Sequence, residues 1–135
     1  MATITLDSFN EKIPVSDVPA NIVTAQVATV DLSSASIPTG STINVIRIPK
    51  GARIIDLSVY VTTITGVGSS IAVGDSSASD TFISAITPSD NGSLKRMTGS
   101  GMGKTYTAED GIILTTSGAT ISAINMRVVV VYSVV

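Results

Sequence analysis

Two long segments of this chain alternate apolar and polar side chains with a period of two residues. In the segment 52–63 one face carries Ile55, Leu57, Val59 and Val61. In the segment 121–134 one face carries Ile124, Met126, Val128, Val130, Tyr132 and Val134. Successive side chains of a β-strand point to opposite faces, so this period predicts two strands, each with a buried face. We therefore expect the core to contain Ile55, Leu57, Val59, Val61, Val128 and Val130.

The rest of the chain also favours strands. It contains 17 Ile, 16 Val and 17 Thr against 5 Leu, and β-branched residues suit a pleated surface better than a helix. Turn signals separate eight or nine short apolar segments, and no helical period is visible. A length of 135 residues fits one domain. The sequence predicts an all-β fold, either a barrel or, as we prefer, a jelly-roll-like two-sheet sandwich.

The first 20 residues differ from the remainder. They are poor in apolar residues and contain Pro14 and Pro19, which hold the backbone extended and remove two N–H donors. Ile4 and Leu6 alternate with threonines, enough for one short strand. We divide the chain into an N-terminal arm, residues 1–20, and a β-sandwich domain, residues 21–135. The arm is expected to attach to a partner protein or a neighbouring subunit, and the alternative is a frayed terminus.

Composition excludes several functions. The chain has no cysteine and no histidine, so it can form no disulfide, no Ser-His or Cys-His nucleophile pair and no zinc site of the usual ligands. Its net charge of −2 provides no basic field for nucleic acid. No stretch approaches the ~18 apolar residues of a membrane span, and the N-terminus does not resemble a secretion signal, so we expect a soluble protein that is not exported.

Two motifs invite a binding function, and both are better explained as turns. The segment 99–105 (GSGMGKT) resembles a phosphate-binding loop, but Thr98 stands where that loop needs its first glycine and no long helix follows. Asp75 and Asp80 could supply oxygen ligands to calcium, but their spacing fits no EF-hand. Asn91-Gly92 is read as a tight hairpin turn. We therefore predict no catalytic, cofactor-binding or metal-binding residue, and no enzyme activity.

The last segment is apolar on both faces between Val128 and Val131. A strand of this kind is buried on both sides, either between sheets or against another subunit. Because Val129, Val131 and Val135 would be polar in an ordinary monomer, they predict a homo-oligomer, and we favour a trimer. Ile4 and Leu6 complete the predicted interface residues.

A resemblance to a known class of proteins rests on three short motifs. These are Ile48-Pro49-Lys50-Gly51-Ala52-Arg53-Ile54-Ile55-Asp56, then Val73-Gly74-Asp75, then Asp80-Thr81-Phe82-Ile83-Ser84. In this order they resemble small structural proteins of tailed bacteriophages, over roughly residues 43–116. The resemblance implies a head-decoration or other minor virion protein with a sandwich or jelly-roll fold, assembled on a capsid as a symmetric oligomer. It supplies no catalytic residues.

These observations predict a capsid decoration (cement) protein that binds the major capsid protein on the outer head surface and stabilises the shell. Two alternatives stay open. One is a component of the tail, fibre or head–tail connector. The other is a small carbohydrate- or peptide-binding sandwich, which is less favoured because the chain has only five aromatic residues to form a sugar platform. No nucleic acid, membrane or small-molecule partner is expected.

Overall fold

A computed structural model describes residues 3–6, 23–33, 36–98 and 101–134. The strands are β1 (Thr3–Thr5), β2 (Val23–Leu32), β3 (Thr42–Ile48), β4 (Ala52–Thr65), β5 (Ser70–Gly74), β6 (Ile83–Ile86), β7 (Leu94–Arg96), β8 (Asp110–Ser117) and β9 (Ala123–Val134). One turn of 3-10 helix, Pro88–Asp90, precedes β7.

The strands form two sheets. One has five strands in the order β1-β3-β8-β5-β6, and the other has four in the order β2-β9-β4-β7. All pairings are antiparallel except that of β1 with β3, which is parallel. The predicted all-β, jelly-roll-like two-sheet sandwich is confirmed.

An aliphatic core lies between the two sheets. Alternate residues of each long strand point into it, and the largest fully buried side chains include Leu57, Ile43, Ile71, Phe82 and Tyr132. Close packing of branched side chains contributes most of the stability of such a core. The sequence prediction is correct for Leu57, Val59, Val61, Val128 and Val130, each of which has no exposed surface.

Ile55 is the exception. It was predicted to lie in the core, but 43% of its surface is exposed. The pairing of β4 with β9 shifts between Ile54 and Asp56, where two residues of β4 correspond to one step of β9. This β-bulge places Ile55 and Asp56 on the same outer side and turns Ile54 inward. The predicted alternation of buried and exposed residues is therefore wrong at Ile55, the first of its predicted core residues.

The irregular segment after Pro88 differs most from the sequence prediction. β7 was not predicted, because its three residues, Leu94–Arg96, show no alternation. Asn91-Gly92 follows the 3-10 turn and leads into β7, so it does not close a two-residue hairpin. In the segment 104–107, Thr105 forms an isolated bridge with Arg53.

The beginning of the chain joins the domain. β1 forms the edge of the five-stranded sheet, and the Leu6 amide donates a hydrogen bond to the Asn44 carbonyl at 3.1 Å. Ile4 and Leu6 are half-buried and pack against the core of their own chain. The rest of the predicted arm, residues 7–20, lies outside the described residues, so the arm stays a prediction there.

The bulge can be tested with a matched pair of variants. Leu57→Ala should lower the free energy of unfolding by roughly 2–5 kcal/mol, because it opens a cavity in the core. Ile55→Ala removes a similar volume from an exposed position and should cost less than about 1 kcal/mol. Urea denaturation of both variants measures the difference. Equal losses would mean that Ile55 points inward and that the bulge is absent.

Candidate interaction surface

The side of the four-stranded sheet that faces away from the core is called the outer surface here. The pairings align its residues in five rows that cross β2, β9 and β4. From one end to the other these rows are Val23–Ser133–Arg53, Ala25–Val131–Asp56, Val27–Val129–Ser58, Thr29–Arg127–Tyr60 and Asp31–Asn125–Thr63. Two residues separate successive rows along a strand, so the rows lie about 6.7 Å apart.

An apolar patch occupies the first three rows on β2 and the second and third rows on β9. Val23 and Val27 are 59% and 57% exposed, and Ala25 between them is also exposed. Val129 and Val131 lie beside them on β9 and are half-buried. Ile55 extends the patch at the bulge in β4. A contiguous exposed apolar patch indicates a surface on which another molecule packs.

The structure therefore brings together part of the predicted interface. Val129 and Val131 lie on one patch, whereas Ile4 and Leu6 lie on the edge of the other sheet, and Val135 lies outside the described residues. Sequence reasoning missed Val23, Val27 and Ile55. Residues 23, 25 and 27 alternate with the inward positions of β2, and this alternation is visible in the sequence. Which face of β2 lies outward, however, depends on its pairing with β9.

Asp75 is the centre of the most developed polar cluster among the described residues. Its side chain is fully buried. One carboxylate oxygen accepts hydrogen bonds from the backbone amide and hydroxyl of Ser77, at 2.9 and 2.7 Å, and one from the Thr81 hydroxyl at 3.2 Å. The other accepts from the Lys104 ammonium at 2.5 Å and the Tyr106 hydroxyl at 2.7 Å. The carboxylate thus connects two segments at one end of the sandwich, residues 75–81 and residues 104–106.

The ionisation of these groups fits a structural role. Burial alone would raise the pKa of Asp75, but the hydrogen bonds from Lys104, Ser77 and Tyr106 outweigh it and hold this pKa well below its usual value. Burial and the neighbouring carboxylate raise the pKa of Tyr106 far above its usual range. Both groups therefore keep one protonation state near neutral pH, which does not suit a proton donor or acceptor in catalysis.

The two motifs considered from the sequence are occupied by internal contacts. The Asp75 oxygens are used by protein donors and Asp80 is exposed, and no cluster of three or more metal-ligating side chains occurs among the described residues. Lys104, the lysine of the glycine-rich segment, is paired with Asp75. Gly101 lies against the Phe82 ring, where a Cβ atom would overlap it. Glycine is needed there for packing.

Three solved structures share this fold. A chain of the capsid of Ralstonia phage GP4 superposes with a TM-score of 0.77 and 19% identity, covering 98% of both chains. A chain of the cyanophage Pam1 capsid asymmetric unit gives 0.72 and 20%, covering 86% of both chains. A chain of the acidic stable capsid of Helicobacter pylori bacteriophage KHP30 gives 0.59 and 14%, covering 84% of this chain and 94% of the other.

No family model and no curated protein matches the chain. At these identities the three likenesses establish the fold. The described residues contain no helix long and apolar enough to cross a membrane.

The Asp75 cluster predicts how stability depends on pH. The pKa of Asp75 is lowered in the folded protein, so its stabilising effect is complete above its ordinary value of about 4 and is lost as the pH falls below it. Asp75→Asn should cost about 2 kcal/mol or more at neutral pH, because it leaves Lys104 without its charge partner. The difference from wild type should shrink toward pH 3.

Asp80→Asn serves as the control, because Asp80 is an exposed carboxylate in the same loop. It should leave the denaturation midpoint nearly unchanged at both pH values. Urea denaturation of wild type and both variants at pH 7 and pH 3 measures these differences. A constant difference between wild type and Asp75→Asn across this range would contradict the assignment.

Proposed function

We propose that this protein is a bacteriophage capsid decoration protein, which binds the major capsid protein on the outer surface of the head and stabilises the shell. The observation that carries the proposal is a fold shared along 98% of the chain with a protein of a phage capsid. Because the coverage is 98% of both chains, the two are of nearly equal length. The likeness therefore extends over nearly the full length of both chains.

The chemistry of the surface supports a packing role. The described residues hold no metal-ligating cluster, and their main buried charge is neutralised internally by Lys104. The apolar patch around Val27 and Val129 offers area for contact with protein instead. A protein that binds the assembled shell and not its dissociated subunits stabilises the shell by mass action. Many copies on a symmetric lattice can do this with modest affinity at each site.

Self-association belongs to the same proposal. Val23, Val27, Val129 and Val131 form a surface that favours burial against another protein, and a closed homo-oligomer would cover it. The trimer predicted from the sequence is one such closed arrangement. Tail, fibre or connector components remain the alternative location, and copy number separates them from a head protein.

Virion composition provides the first test. Quantitative mass spectrometry of purified particles should count copies in the hundreds, since a decoration protein repeats over the whole lattice. Particles that lack the protein should assemble and then release their DNA at a lower temperature, and adding purified protein should restore the wild-type temperature. A count of a few to a dozen copies would assign the protein to the connector or tail and overturn the proposal.

The arm gives a second test. Residues 1–20 are proposed to contact the capsid or a neighbouring subunit, with β1 as the segment that anchors the arm in the domain. Backbone amides of residues 7–20 should then exchange hydrogen more slowly on capsids than in the free protein. The amides of β9 serve as the control and should exchange slowly in both. Equal exchange of residues 7–20 in the two states would leave the arm without an attachment role.

A further inference from the structure

The outer surface carries charges in an order that a second copy of the same surface complements. On β2, β9 and β4 the first row carries Arg53, the second Asp56, the fourth Arg127 and the fifth Asp31, while the middle row is uncharged. The signs therefore run positive, negative, neutral, positive, negative. Reversing the order of the rows about the middle one places every charge opposite a charge of the other sign.

Three of these charges form no ion pair with another described residue. Within the part of the chain that the structure describes, the ion pair on this surface is that of Asp56 with Arg96 of β7, at 3.8 Å and largely exposed. Arg53, Arg127 and Asp31 have no oppositely charged group within 4.0 Å among the described residues. Their charges are therefore available to a partner that approaches this side of the sheet.

The positions of Arg53 and Asp31 define where a symmetry axis would pass. Arg53 is on β4 in the first row and Asp31 is on β2 in the fifth, with β9 between the two strands. Each lies about 13 Å along the strands from the middle row. The midpoint between them is therefore at Val129, in the middle row of the central strand. A two-fold axis that runs parallel to the sheet at Val129, perpendicular to the line from Arg53 to Asp31, places the Arg53 of each copy over the Asp31 of the other.

We propose that a second copy of this chain docks on the outer surface, face to face about a two-fold axis at Val129. Arg53 of each copy then pairs with Asp31 of the other, and the rows of Asp56 and Arg127 also oppose each other. Sheets that pack face to face lie about 10 Å apart, with their strands about 30° from parallel. This inference rests on the self-association in the proposed function and replaces the expected three-fold arrangement.

The apolar patch provides the attraction in this arrangement, and the charges provide the orientation. Val27 and Val129 lie in the middle row, next to the axis, where both copies contribute them to the same contact. Burial of these side chains drives association without direction. Opposite charges in the outer rows favour the two-fold orientation over other placements of the same apolar patch, since like charges facing each other are costly.

A charge exchange tests the orientation. In sedimentation equilibrium the wild-type protein should form a dimer. Arg53→Asp and Asp31→Arg should each raise the dimer dissociation constant roughly tenfold or more, because each dimer contains the contact twice. The double variant restores opposite charges and should return to within about threefold of wild type. Lys50→Glu is the control, because it changes the net charge equally at an exposed turn off this surface, and it should have no effect.

Cross-linking tests the position of the axis. The chain has no cysteine, so a single cysteine placed at Val129 faces its own copy across the axis and should form a disulfide-linked dimer under mild oxidation. Val67→Cys is the matched control. Val67 is 97% exposed and far more accessible, yet it lies on the turn after β4, off the outer surface. It should cross-link more slowly than the cysteine at position 129.

Each of several results would overturn the two-fold dimer. A monomer or a trimer at all concentrations, single charge variants that associate like wild type, or faster cross-linking at position 67 would do so. Occupancy on purified capsids is measured separately for the same variants. A protein that remains monomeric but decorates capsids would refute the dimer and leave the decoration role intact. A protein that dimerises but does not bind capsids would support the dimer and refute the decoration role.

Discussion

The antiparallel pairing of β4 with β9 determines the rest of the structure. These are the two longest strands, with 14 and 12 residues, and they form the middle of the four-stranded sheet. Their inner faces contribute Leu57, Val59, Val128 and Val130 to the core, and their outer faces form most of the outer surface. A slip of one residue in this pairing would exchange the two faces, so its register determines which residues are buried and which are presented to a partner.

The two bulges in β4 adjust this pairing. One follows Ile54 and the other follows Val61, and each adds one residue to β4 without a partner in β9. The first bulge brings Ile55 out of the core and onto the outer surface, and places Arg53 and Asp56 on the same side. The charge order proposed to orient a second copy therefore depends on a local irregularity of the strand, which is a common role for bulges near functional sites.

At one end of the sandwich, loops that are not paired in the sheets are held in place by polar side-chain contacts. The buried Asp75 carboxylate connects the loop between β5 and β6 with Lys104 and Tyr106 in the segment that precedes β8. This loop and the glycine-rich segment had suggested binding sites for a cation or a phosphate. Asp75, Lys104 and Gly101 are instead used within the fold. The contact with other proteins is therefore proposed for the outer surface of the four-stranded sheet.

The sequence by itself determined the fold class, because the excess of Ile, Val and Thr and the period of two are local properties of the chain. It also identified Val129 and Val131 as unusual, since both faces of that strand are apolar. The position of Ile55, the existence of β7 and the pairing of β1 with β3 are visible only in the tertiary structure. The tertiary structure also decided the alignment of β2, β9 and β4 into rows. Bulges and registers depend on contacts between residues far apart in the chain, so no local pattern could place Arg53 and Asp31 on one surface.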